Sequence, residues 1–102
     1  MGKKTEMELL ESVLLPQMKD GAQLRLDRFA RTRQYDGILS AATYATSTVP
    51  KFQAEGQYAV EVRDATWNAL YAIWDEVKAG SRPVPKSFAE IEHELPPLAW
   101  PE

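Results

Sequence analysis

Between Lys51 and Gly80 the chain reads KFQAEGQYAVEVRDATWNALYAIWDEVKAG. Its apolar residues recur at helical spacing, and the stretch reads as one helix from about residue 50 to 79. At about 100° per residue, Ala59, Val62, Ala69, Leu70, Ile73, Trp74 and Val77 share one broad side. Tyr58 and Ala65 border that side on one flank, and Val60, Trp67 and Tyr71 on the other. Only Glu61, Asp64, Asn68 and Asp75 form a narrow polar strip. A helix apolar over so much of its circumference needs neighbours on more than one side. Whatever else the chain builds must therefore surround this helix.

The material for those neighbours lies upstream. Residues 22–33, AQLRLDRFARTR, place Ala22, Leu26, Phe29 and Ala30 on one face, with Leu24 opposite. Residues 36–46, DGILSAATYAT, follow with Asp36 as the expected N-cap. Their alanines allow close approach of another helix. Pro50 is tolerated in the first turn of the long helix, where its missing N–H costs nothing. Gly56 marks an expected close crossing, and Gly80 is placed as the C-terminal cap. Ahead of these, TEMELLESVLL carries Thr5 and Glu8 at capping-box spacing and a stripe of Met7, Leu10 and Leu14. Pro16 and Gly21 bracket PQMKDG, which reads as a break or turn; alternatively the helix begins near Pro16 and continues to Arg33. After Gly80 the prolines block a helix. Ser87 and Glu90 suggest a short last one, and ELPPLAWPE closes the chain.

Strand-type alternation is poor throughout. The expected fold is all-α, a small bundle of three to four helices with a proline-rich C-terminal tail. The division expected is an N-terminal helical arm over residues 1–20 and a single helical domain over 21–102, its extended tail starting near 81. At 102 residues and 44% apolar content, one soluble domain is the default.

Charge and composition narrow the chemistry. A net charge of −3 gives no reason to expect nucleic acid. No apolar run reaches the roughly 18 residues of a membrane span. The absence of cysteine removes disulfides, thiolate metal sites and cysteine nucleophiles. His93 is the only histidine and reads as a surface residue. Acidic pairs such as Glu90 and Glu94 read as solvated surface. No phosphate-binding glycine loop, zinc-helix motif or nucleophile elbow is present. An enzyme is not expected, nor a cofactor or a metal.

The aromatic residues are the sharpest feature. Trp67, Tyr71 and Trp74 follow helical spacing and read first as core, and in the alternative as the lining of a groove for a small molecule or peptide. Arg63 lies within the apolar arc, with Asp36 as a candidate partner. Trp100, between Pro97 and Pro101, either folds back over one end of the bundle, the preferred reading, or anchors a partner. Arg25, Arg28 and Arg31 are candidate interaction residues, because guanidinium groups suit a carboxylate-rich partner. The Met7, Leu10, Leu14 stripe could pair with its copy in a homo-oligomer.

The pieces Tyr35-Asp36-Gly37-Ile38-Leu39-Ser40-Ala41-Ala42, Tyr44-Ala45, Phe52, Glu55, Arg63-Asp64-Ala65, Trp67, Gly80, Arg82-Pro83-Val84-Pro85, Glu94-Leu95-Pro96 and Trp100-Pro101 together resemble a small helical domain of tailed phages and prophages. That domain occurs in tail-fibre assembly and other tail-associated proteins. The resemblance implies a non-enzymatic structural or assembly role through contacts with other phage tail or assembly proteins. It also implies a place in the cytoplasm of a bacterial host, or in the virion. It assigns no functional residue.

Overall fold

The computed structural model describes residues 6–102. The expected cap at Thr5 lies outside them. Three α-helices form the body: α1 over Glu6–Arg31, α2 over Ile38–Ala42 and α3 over Pro50–Ala79. A 3₁₀ turn over Thr43–Thr46 continues α2, and two more, Phe88–Glu90 and Glu92–Glu94, lie in the C-terminal segment. No strand occurs among the described residues. Among the described residues, no helix is long and apolar enough to cross a membrane. The long axis of the molecule measures 57 Å against 26 and 19 Å for the others. That is the shape of a two-helix hairpin, since thirty helical residues span about 45 Å.

α3 buries Glu55, Ala59, Val62, Thr66, Leu70, Ile73 and Val77, a mixture of steps of three and four that holds one straight face. α1 instead buries Leu14, Met18, Ala22, Leu26 and Ala30. Steps of four drift by about 40° each, so this stripe winds around its helix. Its first half meets the C-terminal half of α3, and its second half meets α2 and the start of α3. Two core clusters result. One joins Leu14, Met18 and Ala22 to Leu70, Ile73, Trp74 and Val77, with Ile91 and Leu95 from the C-terminal segment. The other joins Leu26 and Ala30 to Ile38, Ala41, Ala59 and Val62. Thr66 lies on the face between them, fully buried, its hydroxyl without a partner.

The break anticipated at PQMKDG does not occur. α1 runs through Pro16 and through the boundary placed at residue 20. An internal proline costs about 3 kcal/mol, and burial of Leu14, Met18 and Ala22 on one face offsets that. Gly21 serves a contact rather than a turn: a Cβ there would lie 2.6 Å from Phe88 Cδ2. Gly56 does mark a close crossing, because its Cβ would come within 2.8 Å of Ala45 Cα. Met7 and Leu10 pack against the first cluster, so the stripe proposed for self-association faces inward.

Three helix ends are closed in two ways. α3 ends with Gly80 at φ 74°, and Ser81 N–H donates to the Glu76 carbonyl at 3.0 Å, which satisfies the last turn. α1 ends with the same pattern, Tyr35 N–H donating to the Ala30 carbonyl at 3.3 Å, but its left-handed residue is Gln34 at φ 69°. α2 is capped from a distance: Asp27 on α1 accepts from Ile38 N–H at 2.9 Å. The cap expected from Asp36 is thus supplied by a different residue, reached through the tertiary fold.

Candidate binding site

Where α1 ends and α3 begins, the polypeptide folds around one buried carboxylate. Glu55 extends the buried face of α3 by one step toward its N-terminus and is only 4% exposed. Arg33, just beyond α1, forms an ion pair and hydrogen bond with it. The Tyr35 hydroxyl donates to its other oxygen at 2.8 Å. Burial, and the hydrogen bond to Glu55, push the Tyr35 phenol up to about 12. Both carboxylate oxygens are therefore committed, which is what a buried charge requires.

Rings gather beside this pair. Tyr35 and Tyr44 lie 5.4 Å apart between centroids, and Phe52 meets Tyr44 edge-on at 5.8 Å. On the other side Trp100 lies 5.9 Å from Tyr35 and stacks on Phe29 at 4.3 Å with planes 16° apart. Tyr58 completes the run against Phe29 at 5.9 Å. The rings are supplied by α1, the link after α1, the 3₁₀ turn, α3 and the C-terminal segment, so no single periodicity announces them.

Two clefts open here. The first, about 480 Å³, is lined by Thr32, Arg33, Gln34, Tyr35, Tyr44, Lys51, Phe52 and Glu55. The second, about 520 Å³, is lined by Arg33, Pro50, Lys51, Ala54, Glu55, Pro101 and Glu102. Arg33, Lys51 and Glu55 belong to both, so the two are lobes of one depression. Its single α3 carboxylate is already spent on Arg33 and Tyr35. Lys51 makes no ion pair among the described residues. The depression thus offers aromatic walls and, in Lys51, a cation with no ion pair among the described residues beside the Glu102 that lines the same lobe, a combination suited to an apolar ligand bearing negative charge.

The residues singled out from sequence are placed elsewhere or otherwise used. Trp74 is 4% exposed inside the first core cluster, Trp67 packs beside it, and Tyr71 is exposed. None of the three lines the clefts described above. Arg25 Nη2 donates to the Pro96 carbonyl at 2.9 Å, and Nε lies 3.6 Å from Glu92, so this side chain holds the C-terminal segment. Arg31 Nε donates to the Asp36 carbonyl at 3.0 Å. Arg28 is exposed. Trp100 folds back onto the α1–α3 groove, its Nε1–H donating to Thr32 Oγ1 at 2.9 Å. Arg63 forms no ion pair with Asp36. His93 is exposed, between the Glu92 and Glu94 carboxylates that engage Arg25 and Arg82. No cluster of three metal-ligating side chains occurs among the described residues.

Helical spacing alone assigns Glu55 no role, yet it carries a signal. Stepping back four from Ala59 along the buried face of α3 lands on an acid. An acid on a buried stripe demands donors, and Arg33 and Tyr35 are what the fold supplies. Comparison with protein-family models, with curated proteins and with solved structures finds no match for this chain.

Proposed function

We infer that the chain is a non-catalytic binding module that acts through protein contacts, and that its site is the aromatic-walled depression shared by Arg33, Tyr35, Tyr44, Lys51, Phe52 and Glu55. The reading is supported by one arrangement above all: Lys51, a cation with no ion pair among the described residues, on the rim of a cleft walled by Tyr44 and Phe52, both of which are exposed. α3 starts here with Pro50, no side chain caps it and no acid occupies its first turn, so the positive end of its dipole adds to the same field. The ligand that fits this chemistry is a peptide segment or small molecule that carries a carboxylate beside an aromatic group. The groove proposed from sequence around Trp67, Tyr71 and Trp74 moves, in this reading, to the other end of α3. The tail-assembly setting implied by the resemblance rests on the quoted residues alone and remains a proposal of its own.

The direct test is an NMR titration of the full chain with phenylacetate, beside its neutral amide. Amide shifts confined to residues 32–35, 44 and 51–55, weaker for the amide and lost in Lys51→Glu, are the expected result. Shifts of equal size for both compounds, or shifts centred on Trp67 and Tyr71, would overturn the assignment.

A further inference from the structure

Residues 95–102 read LPPLAWPE, and from Pro96 onward they form an extended strap along the groove between α1 and α3. Among the described residues, the hydrogen bonds that hold this strap come from side chains of the hairpin. Arg25 donates to the Pro96 carbonyl at 2.9 Å. The Tyr58 hydroxyl accepts from Ala99 N–H at 3.0 Å and reaches the Pro97 carbonyl at 3.5 Å. Thr32 accepts from the Trp100 indole at 2.9 Å. Among the described residues, no backbone-to-backbone bond joins residues 96–102 to the hairpin. This is how a groove reads an extended proline-bearing peptide: side chains address its carbonyls and an aromatic cradle takes its ring.

The strap leads into the cleft. Trp100 stacks on Phe29, and the Arg33 guanidinium lies 5.6 Å from its ring centroid. Pro101 and Glu102 then wall the second lobe together with Arg33, Pro50 and Lys51. The strap thus presents an aromatic ring to the Phe29 and Tyr58 cradle and, two positions later, a carboxyl to the adjoining lobe that Lys51 lines. We propose that Trp100–Glu102 is an internal ligand, and that the partner is a segment of another protein that repeats it: an extended, proline-flanked aromatic residue followed by an acid. The proposal rests on the depression being a binding site for acidic ligands. Docking of the strap withholds the site from that partner, whose apparent affinity falls in proportion to the fraction of chains with the strap released.

The test uses a fluorescent peptide of sequence LPPLAWPE and fluorescence anisotropy with the full chain. Trp100→Ala empties the cradle and is expected to bind the peptide at least about tenfold more tightly than the parent chain. Trp100→Phe removes only the indole's donor, from the strap and not from the peptide, and is expected to fall between them. Adding Lys51→Glu to Trp100→Ala is expected to weaken binding again, and a peptide with Ala for Trp is expected not to bind. Equal affinity for the parent and Trp100→Ala, with circular dichroism showing both folded, would overturn the proposal. Should Trp100→Ala fail to fold, equality of Trp100→Phe with the parent does the same. Concentration-dependent dimerisation of the parent chain would reassign the occupant to the strap of a second copy. Loss of the peptide response with the phenylacetate response intact removes the internal ligand alone, whereas loss of both removes the cleft.

Discussion

Gln34 occupies the left-handed position that closes α1, where Gly80 does the same duty for α3. A Cβ in that conformation costs about 1 kcal/mol or a little more. Gln34→Gly is therefore expected to raise stability by about 1 kcal/mol in urea unfolding, with no change in the slope of the transition. Next to it, Tyr35 carries a second, pH-dependent contribution. Its phenol donates to Glu55 and has its pKa pushed from 10.0 up to about 12. A group raised in the folded state stabilises fully below its unfolded value and loses that contribution as pH climbs through the folded one. Tyr35→Phe removes a hydrogen bond to a charged group, a loss of about 1–2 kcal/mol. The gap between the two proteins should be constant up to about pH 10 and close on approach to 12. A gap independent of pH would show that the Tyr35 hydroxyl does not depend on Glu55.

At the scale of elements, two glycines inside long helices behave differently for a reason the structure makes concrete. Exchange of Gly for Ala in a helix gains about 1 kcal/mol in propensity. At Gly56 the new methyl meets the backbone of Tyr44 and Ala45, which cannot yield without moving the 3₁₀ turn that walls the cleft. At Gly21 it meets the Phe88 ring, which can swing away. Gly56→Ala is expected to cost about 2–3 kcal/mol, at the upper end of overpacking, and Gly21→Ala about 1 kcal/mol or less; paired urea unfolding curves give both. The same residues show what sequence could reveal. The periodicity of α3 is regular enough that its core face is read residue by residue, and even Glu55 follows by extension. α1 is harder, because Pro16 and Gly21 carry the marks of a turn while tertiary burial on either side keeps the helix whole. The cap on α2 is harder still: Asp27 and Ile38 meet only once α1 has folded back. The cleft needs rings from five separate segments, so it becomes visible only with the topology.

For the molecule as a whole, the question is what fastens the C-terminal segment to the hairpin along a long axis of 57 Å. One end is the Trp100 cradle. The other is Arg82, which forms paired bonds of 2.9 and 2.7 Å with Glu94 and reaches Glu76 on α3 at 3.4 Å. Between them Ile91 and Leu95 are buried in the first core cluster, so losing the clamp loosens hydrophobic contacts as well as charges. The hydrogen bonds and charge of Arg82 hold the Glu94 carboxyl below its usual range, against the opposing effect of burial. A carboxylate depressed in the folded state stabilises above its unfolded value, 4.5, and that contribution is lost as pH falls through the lower folded value. Arg82→Gln should accordingly be less stable than the parent near neutrality by about 1 kcal/mol, the scale of a partly exposed bidentate pair. On acidification the parent should lose this advantage, so that the two urea midpoints converge as pH falls below 4.5 and through the lower folded value of Glu94. Because the clamp lies at the opposite end of the strap from Trp100, Arg82→Gln should leave the phenylacetate shifts at residues 51–55 unchanged. A parent and variant that stay equally far apart from neutral to acid pH would mean that Glu94 is not the group Arg82 serves.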